Sequence, residues 1–183
     1  MTRSGHQATN VLLDACAVLS LYATDRMDDI VRVLHPPVAV ADLVAQEALY
    51  IRRVIDGELA KERVVLAPLI ASGMLGVVQA ETDQELLTFI DLAVDLDDGE
   101  AMSAALAIHR GWVLVTDDRK AERLLDGRVQ LRSTLDIVKE WAAVREIGAD
   151  TLRAVLTSID ERGYRPGKRH PLSEWWERVM AEQ

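Results

Sequence analysis

The sequence of 183 residues predicts an α/β fold of three layers, with a central parallel sheet of four to five short strands between helices on both faces. Two observations predict this fold. Short apolar runs alternate with helical patterns along the chain, and three of these runs stop at aspartates. The aspartates that follow the runs are Asp14, Asp42 and the pair Asp117 and Asp118. Right-handed crossovers place the carboxyl ends of parallel strands at one edge of a sheet, so we expect these carboxylates to lie at one edge.

Apolar residues bounded by turn signals define the strands. Strands are predicted at residues 11–13, 38–41, 64–66, 75–78, 112–115 and 129–132. The runs are short and rich in Val and Leu, which is typical of strands that are buried on both faces. Residues 68–73, between two of these runs, are predicted to form a helical turn.

Capping residues and chain breakers define the helices. Helices are predicted over residues 15–22, 26–34, 42–54, 82–96, 100–110, 118–125, 134–146, 150–162 and 172–182. Thr82 begins one helix with Glu85 as its capping-box partner, and Gly111 ends the alanine-rich helix. Asp25 and Asp150 are expected to cap two others. Residues 164–171 (YRPGKRHP) form a basic, Pro/Gly-rich loop or linker before the last helix.

The composition limits the classes of function. The single cysteine, Cys16, excludes an intrachain disulfide and fits a reducing, cytoplasmic environment. The formal net charge of −9 weighs against broad, nonspecific binding of nucleic acid. A site made of carboxylates, however, adds negative charge that a bound cation would cancel. The first apolar run is interrupted by Asp14, so we expect neither a signal peptide nor a membrane partner.

Carboxylates at the predicted sheet edge are the candidates for a functional site. Asp14 lies between two apolar stretches, and no Lys or Arg is near it in the sequence. Burial of an ion costs several kcal/mol unless it is paired or bound to a metal. Four further carboxylates map to the same edge, namely Glu47, Glu100, Asp117 and Asp118. A donor set of oxygens alone suits Mg²⁺ or Mn²⁺, and such a site can activate water for hydrolysis of a phosphodiester.

Several of these carboxylates also have an ordinary structural role open to them. Asp42 is a natural N-cap, and Asp98 is a turn residue or the cap of the helix that contains Glu100. One member of the pair Asp117 and Asp118 must cap the following helix. Asp14 is the carboxylate for which no cation close in the sequence offers an explanation.

At these residues the sequence resembles the PIN-domain family, which consists of metal-dependent ribonucleases and includes toxins of bacterial toxin–antitoxin pairs. The matching segments are VLLDACAVLSL around Asp14, VADLVAQEAL around Glu47, DLDDGEAMSAALA around Glu100, and VLVTDDRKAERLL around Asp117 and Asp118. The resemblance implies a PIN-like nuclease domain over residues 1–146. It leaves residues 147–183 as a C-terminal helical extension packed on that domain.

The resemblance also implies roles for individual residues. Asp118 fits the T-x-D spacing of the family better than Asp117 does, and Thr116 is an auxiliary polar residue. The implied catalytic residues are Asp14, Glu47, Glu100 and Asp118, and the implied ligands of Mg²⁺ or Mn²⁺ are these four with Asp117. Lys120, Arg123 and Arg52 are candidate contacts to RNA.

The resemblance implies an endoribonuclease that depends on a divalent metal and hydrolyses RNA phosphodiesters. As a toxin it would have an antitoxin protein as partner, and its early apolar helices would suit a homodimer. Ala15 and Cys16 stand where family members often carry a hydroxyl and an amide, so hydrogen bonds to the first carboxylate are expected to be lost.

Two other functions share features with this sequence. The alternative from another class is a PIN-like module that binds RNA or a protein partner without cleaving, which Ala15, Cys16 and the acidic net charge favour. Phosphatases of the haloacid-dehalogenase type also begin with a strand that ends in aspartate. They need a second aspartate two residues later, where this chain has Cys16.

Overall fold

A computed structural model describes residues 10–34, 37–47, 49–55 and 58–181 of the chain, and it confirms the predicted α/β class. Its strands are β1 (Val11–Leu13), β2 (Val38–Ala41), β3 (Tyr50–Ile55), β4 (Glu58–Arg63), β5 (Leu75–Val78), β6 (Val113–Val115) and β7 (Gln130–Arg132). Its helices are α1 (Ala15–Ala23), α2 (Met27–Val33), α3 (Asp42–Gln46), α4 (Ala67–Ala71), α5 (Asp83–Leu92), α6 (Asp98–Arg110), α7 (Arg119–Leu125), α8 (Thr134–Val144), α9 (Ala149–Arg162) and α10 (Ser173–Ala181).

The central sheet has five parallel strands in the order β5-β2-β1-β6-β7, flanked by helices. Strand β1 lies in the middle, where Val11 is opposite both Val38 and Val113. Just past the carboxyl ends, the amide of Asp14 donates to the carbonyl of Val115 over 3.1 Å. The ends of β1 and β6 are therefore joined, so the residues after each strand lie at the same edge.

Aliphatic side chains fill the core, as the scarcity of aromatic residues predicts. The three residues of β1, the four of β2 and the three of β6 are all buried. Trp141 of α8 is also buried, and its indole N–H donates to Asp29 over 2.8 Å. Burial of about 25 cal/mol per Å² of apolar surface holds the helices on the sheet and fixes the edge where the strands end.

The helix predicted over residues 42–54 begins at Asp42 but is much shorter, and Ala41, not Asp42, is its N-cap. Helix α3 ends at Gln46, since the backbone of Glu47 is extended (φ −63°, ψ 143°), and β3 then pairs with β4 in an antiparallel hairpin. Ile51 is buried while Tyr50 and Arg52 on either side are exposed, which is the period of a strand. The apolar positions fit a helical face equally well, so the pattern was ambiguous over so few residues.

Other boundaries also differ from the prediction. Residues 64–66 lie between β4 and α4 and form no strand, although β5 and the helical turn before it are confirmed. Asp97, rather than Asp98, is the N-cap of α6, and Gly148 takes that position in α9 instead of Asp150. Asp25 does not cap α2; it has a positive φ of 56° and binds Arg53. Asp56 and Gly57, which are typical of a turn, and residues 35–36, where prolines would end the helix predicted over residues 26–34, lie outside the described residues.

Several helix ends are as predicted. Thr82 and Glu85 form the capping box that begins α5. Gly111 ends α6 with a left-handed backbone, φ 65°, which glycine adopts without strain. At the C-terminal end, α9 packs against α1 and β3, and α10 packs against α9. Among the helices that the structure describes, none is both long enough and apolar enough to cross a membrane.

Candidate functional site

Asp14, directly after β1, is the most buried of the predicted acidic site residues, with 1% of its surface exposed. It is the N-cap of α1, because its Oδ1 accepts a hydrogen bond from the amide of Ala17 over 2.7 Å. Burial raises the pKa of Asp14 to about 6, although its hydrogen bonds act in the opposite direction. In the described part of the chain, no Lys or Arg forms an ion pair with it. Asp14 is thus a buried carboxylate without a direct cationic partner.

Cys16 connects the ends of β1 and β6. Its thiol donates to both oxygens of Asp14, over 3.0 and 3.1 Å, and its sulfur accepts the amide N–H of Asp117 over 3.1 Å. Burial raises the pKa of this thiol, so it stays protonated and remains a donor. The expectation that Cys16 leaves Asp14 without a side-chain donor was therefore wrong, because a thiol fills the place of the absent amide.

Asp117 and Asp118 follow β6 and have different surroundings. Asp118 is the N-cap of α7, since its Oδ1 accepts from the amides of Lys120 and Ala121 over 2.7 and 2.8 Å. The buried hydroxyl of Thr116 supports this turn by accepting the amide N–H of Asp118 over 3.1 Å. Asp118, the favoured ligand of the pair, thus also has the structural role that the sequence left open.

Asp117 points away from that turn. Its Oδ1 accepts from the amide of Thr134 over 2.9 Å, while its buried Oδ2 has no hydrogen-bond partner among the described residues. Burial raises the pKa of Asp117. The Thr134 hydroxyl, Arg162 and Tyr164 lie close enough to oppose this rise, but none of them makes a hydrogen bond of normal geometry to Oδ2.

Glu100, in the first turn of α6, joins this group of carboxylates. Burial raises its pKa to about 7, and the charges of Asp118 and Asp14 add to the rise. These effects on Glu100 require the three carboxylates to be near one another. Glu100 lies on α6, whereas Asp14 follows β1 and Asp118 follows β6. The predicted convergence of Asp14, Glu100 and Asp118 at one sheet edge is therefore present in the structure.

Glu47 lies at the margin of this group. It is the C-cap of α3 and is exposed, and its Oε1 is so near Gly99 that a Cβ there would come within 2.5 Å. Burial raises its pKa, followed by the charges of Asp97 and Asp98. Glu47 therefore ends α3 and faces the first turn of α6. The longer helix predicted from the sequence would instead have placed it in the second helical turn.

The donor chemistry and the geometry of the acidic edge point in different directions. Over the described residues, no group of three or more His, Cys, Asp or Glu side chains is placed to hold a metal ion. The possible metal ligands are nevertheless all carboxylates. One buried oxygen among them, Oδ2 of Asp117, accepts no hydrogen bond from the described residues. Mg²⁺ commonly binds through one or two carboxylates and keeps several waters. The residues therefore fit a hydrated hard cation on one or two carboxylates, and they do not fit an ion enclosed by three.

The sequence-based search missed two residues at this edge, Arg162 and Tyr164. Burial lowers the pKa of Arg162, and the charges of Asp117 and Asp14 oppose that change, so its guanidinium is near both. Burial and the charge of Asp117 raise the pKa of Tyr164. The only signal in the sequence was the basic segment at residues 164–171, which read as a linker.

The predicted contacts to RNA are dispersed. Lys120 and Arg123 lie on α7 beside the acidic edge, and both are exposed. Lys120 is 3.5 Å from Asp95, and Nε of Arg123 donates to the carbonyl of Arg119 over 3.1 Å. Arg52 lies on the separate hairpin strand β3. Two of the three candidates therefore adjoin the site.

Comparison of the chain with protein-family models, curated proteins and solved structures finds no match. The fold and the site therefore define the class by themselves. It is an α/β protein with a central parallel sheet, in which the residues after two adjacent strands and the first turn of α6 bring carboxylates together.

Proposed function

We propose that the protein is an endoribonuclease of the PIN type that depends on Mg²⁺ or Mn²⁺. The observation that carries this proposal is the placement of Asp14 and Asp118 after the adjacent strands β1 and β6, with Glu100 so near both that their charges help to raise its pKa to about 7. Buried negative charge without a direct cationic partner opposes folding, and a bound cation would remove that penalty.

The acidic residues would have different roles in the proposed site. Asp14 and Glu100 would hold the metal ion, with Asp118, Asp117 and the marginal Glu47 as further carboxylates of the site. A divalent cation bound there would polarise the phosphate and lower the pKa of the attacking water. The α1 cap and the Cys16 thiol hold Asp14 in one orientation, so the carboxylate needs little rearrangement.

Glu100 would hold the ion in its deprotonated form. Because its pKa is about 7 without metal, a bound cation has to displace a proton from it near neutral pH. Thr116 orients the turn that carries Asp118, and Lys120 and Arg123 would contact the RNA backbone next to the site. Four further expectations rest on the sequence alone. They are a role as the toxin of a toxin–antitoxin pair, an antitoxin partner, a homodimer and a cytoplasmic location.

A PIN-like module that binds RNA or protein without cleaving is the second candidate. The observation that favours it is the lack, within the described ranges, of three acidic or other ligating side chains placed around one ion. In such a module the carboxylates would serve as helix caps, as Asp14 and Asp118 do.

Metal-dependent cleavage decides between the two candidates. A mixed panel of short RNAs is incubated with the protein and Mn²⁺, using Glu100→Gln, Asp14→Asn and the control Glu85→Gln, whose carboxylate lies away from the acidic edge. We expect cleavage by the wild type, a loss of at least about a hundredfold in the first two variants, and little change per folded molecule in the control.

Calorimetric titration with Mn²⁺ tests the ion directly. We expect binding by the wild type and by Glu85→Gln, and strongly weakened binding by Asp14→Asn. Cleavage that is equal in the wild type and in Glu100→Gln would contradict the nuclease proposal, and RNA binding without any cleavage would support the second candidate.

A further inference from the structure

The segment from Arg162 to His170 adjoins the helices that Asp14 and Asp118 cap. It follows α9, which packs against α1, the helix that Asp14 caps. Gly163 ends α9 with φ 109°, and the amide of Tyr164 donates back to the carbonyl of Ile159 over 3.2 Å. The guanidinium of Arg165 binds Asp160 over 2.9 and 2.5 Å. The turn that presents Arg162 and Tyr164 is therefore held by several contacts.

The same segment also contacts α7, the helix that Asp118 caps. Gly167 lies so close to Arg119 that a Cβ on the glycine would come within 2.5 Å of Nη2. The amide of His170 donates to the carbonyl of Gly167 over 2.8 Å, which closes the turn. The segment is thus tied to both sides of the site, through the packing of α9 on α1 and through the contact of Gly167 with Arg119 of α7.

Arg162 is a cation beside the acidic residues that is not directly paired within the described part of the chain. It is partly buried and near Asp14 and Asp117, yet within the described ranges it forms no ion pair with a carboxylate. The same protein shows what direct pairing looks like, since Nε of Arg110 lies 2.6 Å from Glu85. A guanidinium has five donors and no acceptor, so Arg162 keeps donors for an anion.

We propose that Arg162 binds the phosphate of the RNA beside the acidic residues, with the hydroxyl of Tyr164 as a second donor. The proposal rests on the nuclease function proposed above and assigns the substrate contact of that site. The planar guanidinium fits two phosphate oxygens at once, which a lysine cannot match. The charges of Asp14 and Asp117 hold the guanidinium of Arg162 in place before RNA binds. A metal ion bound to these carboxylates would leave Arg162 free to pair with the phosphate.

The test separates binding from cleavage. Fluorescence anisotropy measures the affinity for a short labelled RNA in Mn²⁺, using Glu100→Gln as the non-cleaving background. Onto it we add Arg162→Met, Arg162→Gln or Tyr164→Phe, and the matched control Arg165→Met, which removes the same charge three positions away. Arg162→Gln keeps polar donors without the charge, so a packing defect of the methionine variant does not decide the result.

We expect both Arg162 variants to bind RNA about tenfold more weakly, with a smaller loss for Tyr164→Phe. The slope of log K against log salt should also fall by about 0.7, the value for one phosphate contact on a single strand. Arg165→Met should change neither quantity appreciably, since its charge is already paired with Asp160.

Two outcomes would overturn the inference in distinguishable ways. If Glu100→Gln binds RNA and both Arg162 variants bind equally well with the same salt slope, Arg162 is only a structural cation and the nuclease proposal stands. If the wild type neither cleaves nor binds RNA in Mn²⁺, the nuclease proposal fails, and the assignment of Arg162 fails with it.

Discussion

Two buried carboxylates, Glu85 and Asp14, have opposite electrostatic surroundings. Both are almost fully inaccessible, at 3% and 1% exposure. Glu85 binds Arg110 and accepts the amides of Glu81 and Thr82, and the hydrogen bond from Arg110 is the main reason that its pKa falls to about 2. Asp14 accepts a backbone amide and a thiol but no cation, and burial raises its pKa to about 6.

The difference teaches that burial alone does not mark a functional site. A buried carboxylate with its own arginine contributes to the stability of the fold, here by joining the start of α5 to the end of α6. A buried carboxylate that lacks a direct cation and faces other carboxylates opposes folding until a cation binds. Four measurements test this contrast.

The largest expected effect is on the Glu85 side. Glu85→Ala should lower the free energy of unfolding by about 3 kcal/mol, because it leaves Arg110 without its partner and removes the capping box of α5. Urea unfolding at neutral pH measures the change. Asp83→Ala, in the same turn and exposed, is the control and should change little. A loss below about 1 kcal/mol for Glu85→Ala would remove the contrast.

The second effect is the pH dependence of stability in the presence of a chelator. The folded protein retains protons on Asp14 and Glu100 up to about pH 6 and 7, whereas the unfolded chain has released them near the ordinary pKa values of 3.8 and 4.5. These pKa differences correspond to a fall of up to about 4 kcal/mol in the free energy of unfolding as the pH rises from 5 to 8, and solvent screening of the partly exposed Glu100 reduces the expected fall to about 2 kcal/mol.

Asp14→Asn should flatten this pH profile, because an amide does not titrate. Glu85, with a lowered pKa, acts in the opposite direction and in another window: its contribution is lost below pH 4.5, toward its pKa of about 2. Urea unfolding at a series of pH values measures both windows. Stability that rises steadily from pH 5 to 8 would contradict the assigned direction.

The third effect is stabilisation by metal. Mn²⁺ at about five times its Kd should add about 1 kcal/mol, which corresponds to a rise of about 3 °C in Tm at pH 7.5. The shift should shrink at pH 5.5, where protons compete for Asp14 and Glu100, and disappear in Asp14→Asn. Thermal unfolding measures it, and an equal shift in Asp14→Asn would place the ion elsewhere.

The smallest effect concerns Cys16. Cys16→Ala removes the donor to Asp14 and the acceptor for the amide of Asp117, so it should lower the free energy of unfolding by about 1 kcal/mol. Cys16→Ser restores both hydrogen bonds and should lose less. Urea unfolding compares the two variants, and equal losses would show that the thiol matters only for packing.

The sequence was sufficient to predict the strands and the positions of the carboxylates where local signals agree with the tertiary structure. The strands before Asp14 and Asp117 are apolar and end in carboxylates, and parallel pairing then brings them to one edge whatever the details of the connections. The same rule located Glu100, because a helix that begins at that edge carries its first-turn residue there.

The remaining features depend on contacts that are distant in the sequence. The hairpin of β3 and β4 was missed because Ile51 and its neighbours suit a helix as well as a strand. Arg162 was missed because nothing local shows that the end of α9 reaches Asp117. Asp118 is both an N-cap and a candidate ligand, and only the hydrogen bonds of the cap show that it has the structural role as well.

The thiol of Cys16 and the amide of Asp117 are in contact although they are 101 positions apart in the sequence. Parallel pairing of β1 with β6 closes a loop of that size, and such non-local pairing is slow to form. During synthesis the first carboxylate therefore emerges long before β6 and α9 can join it. The acidic edge is assembled only after β6 and α9 have left the ribosome, so a shorter nascent chain carries Asp14 without the residues that surround it.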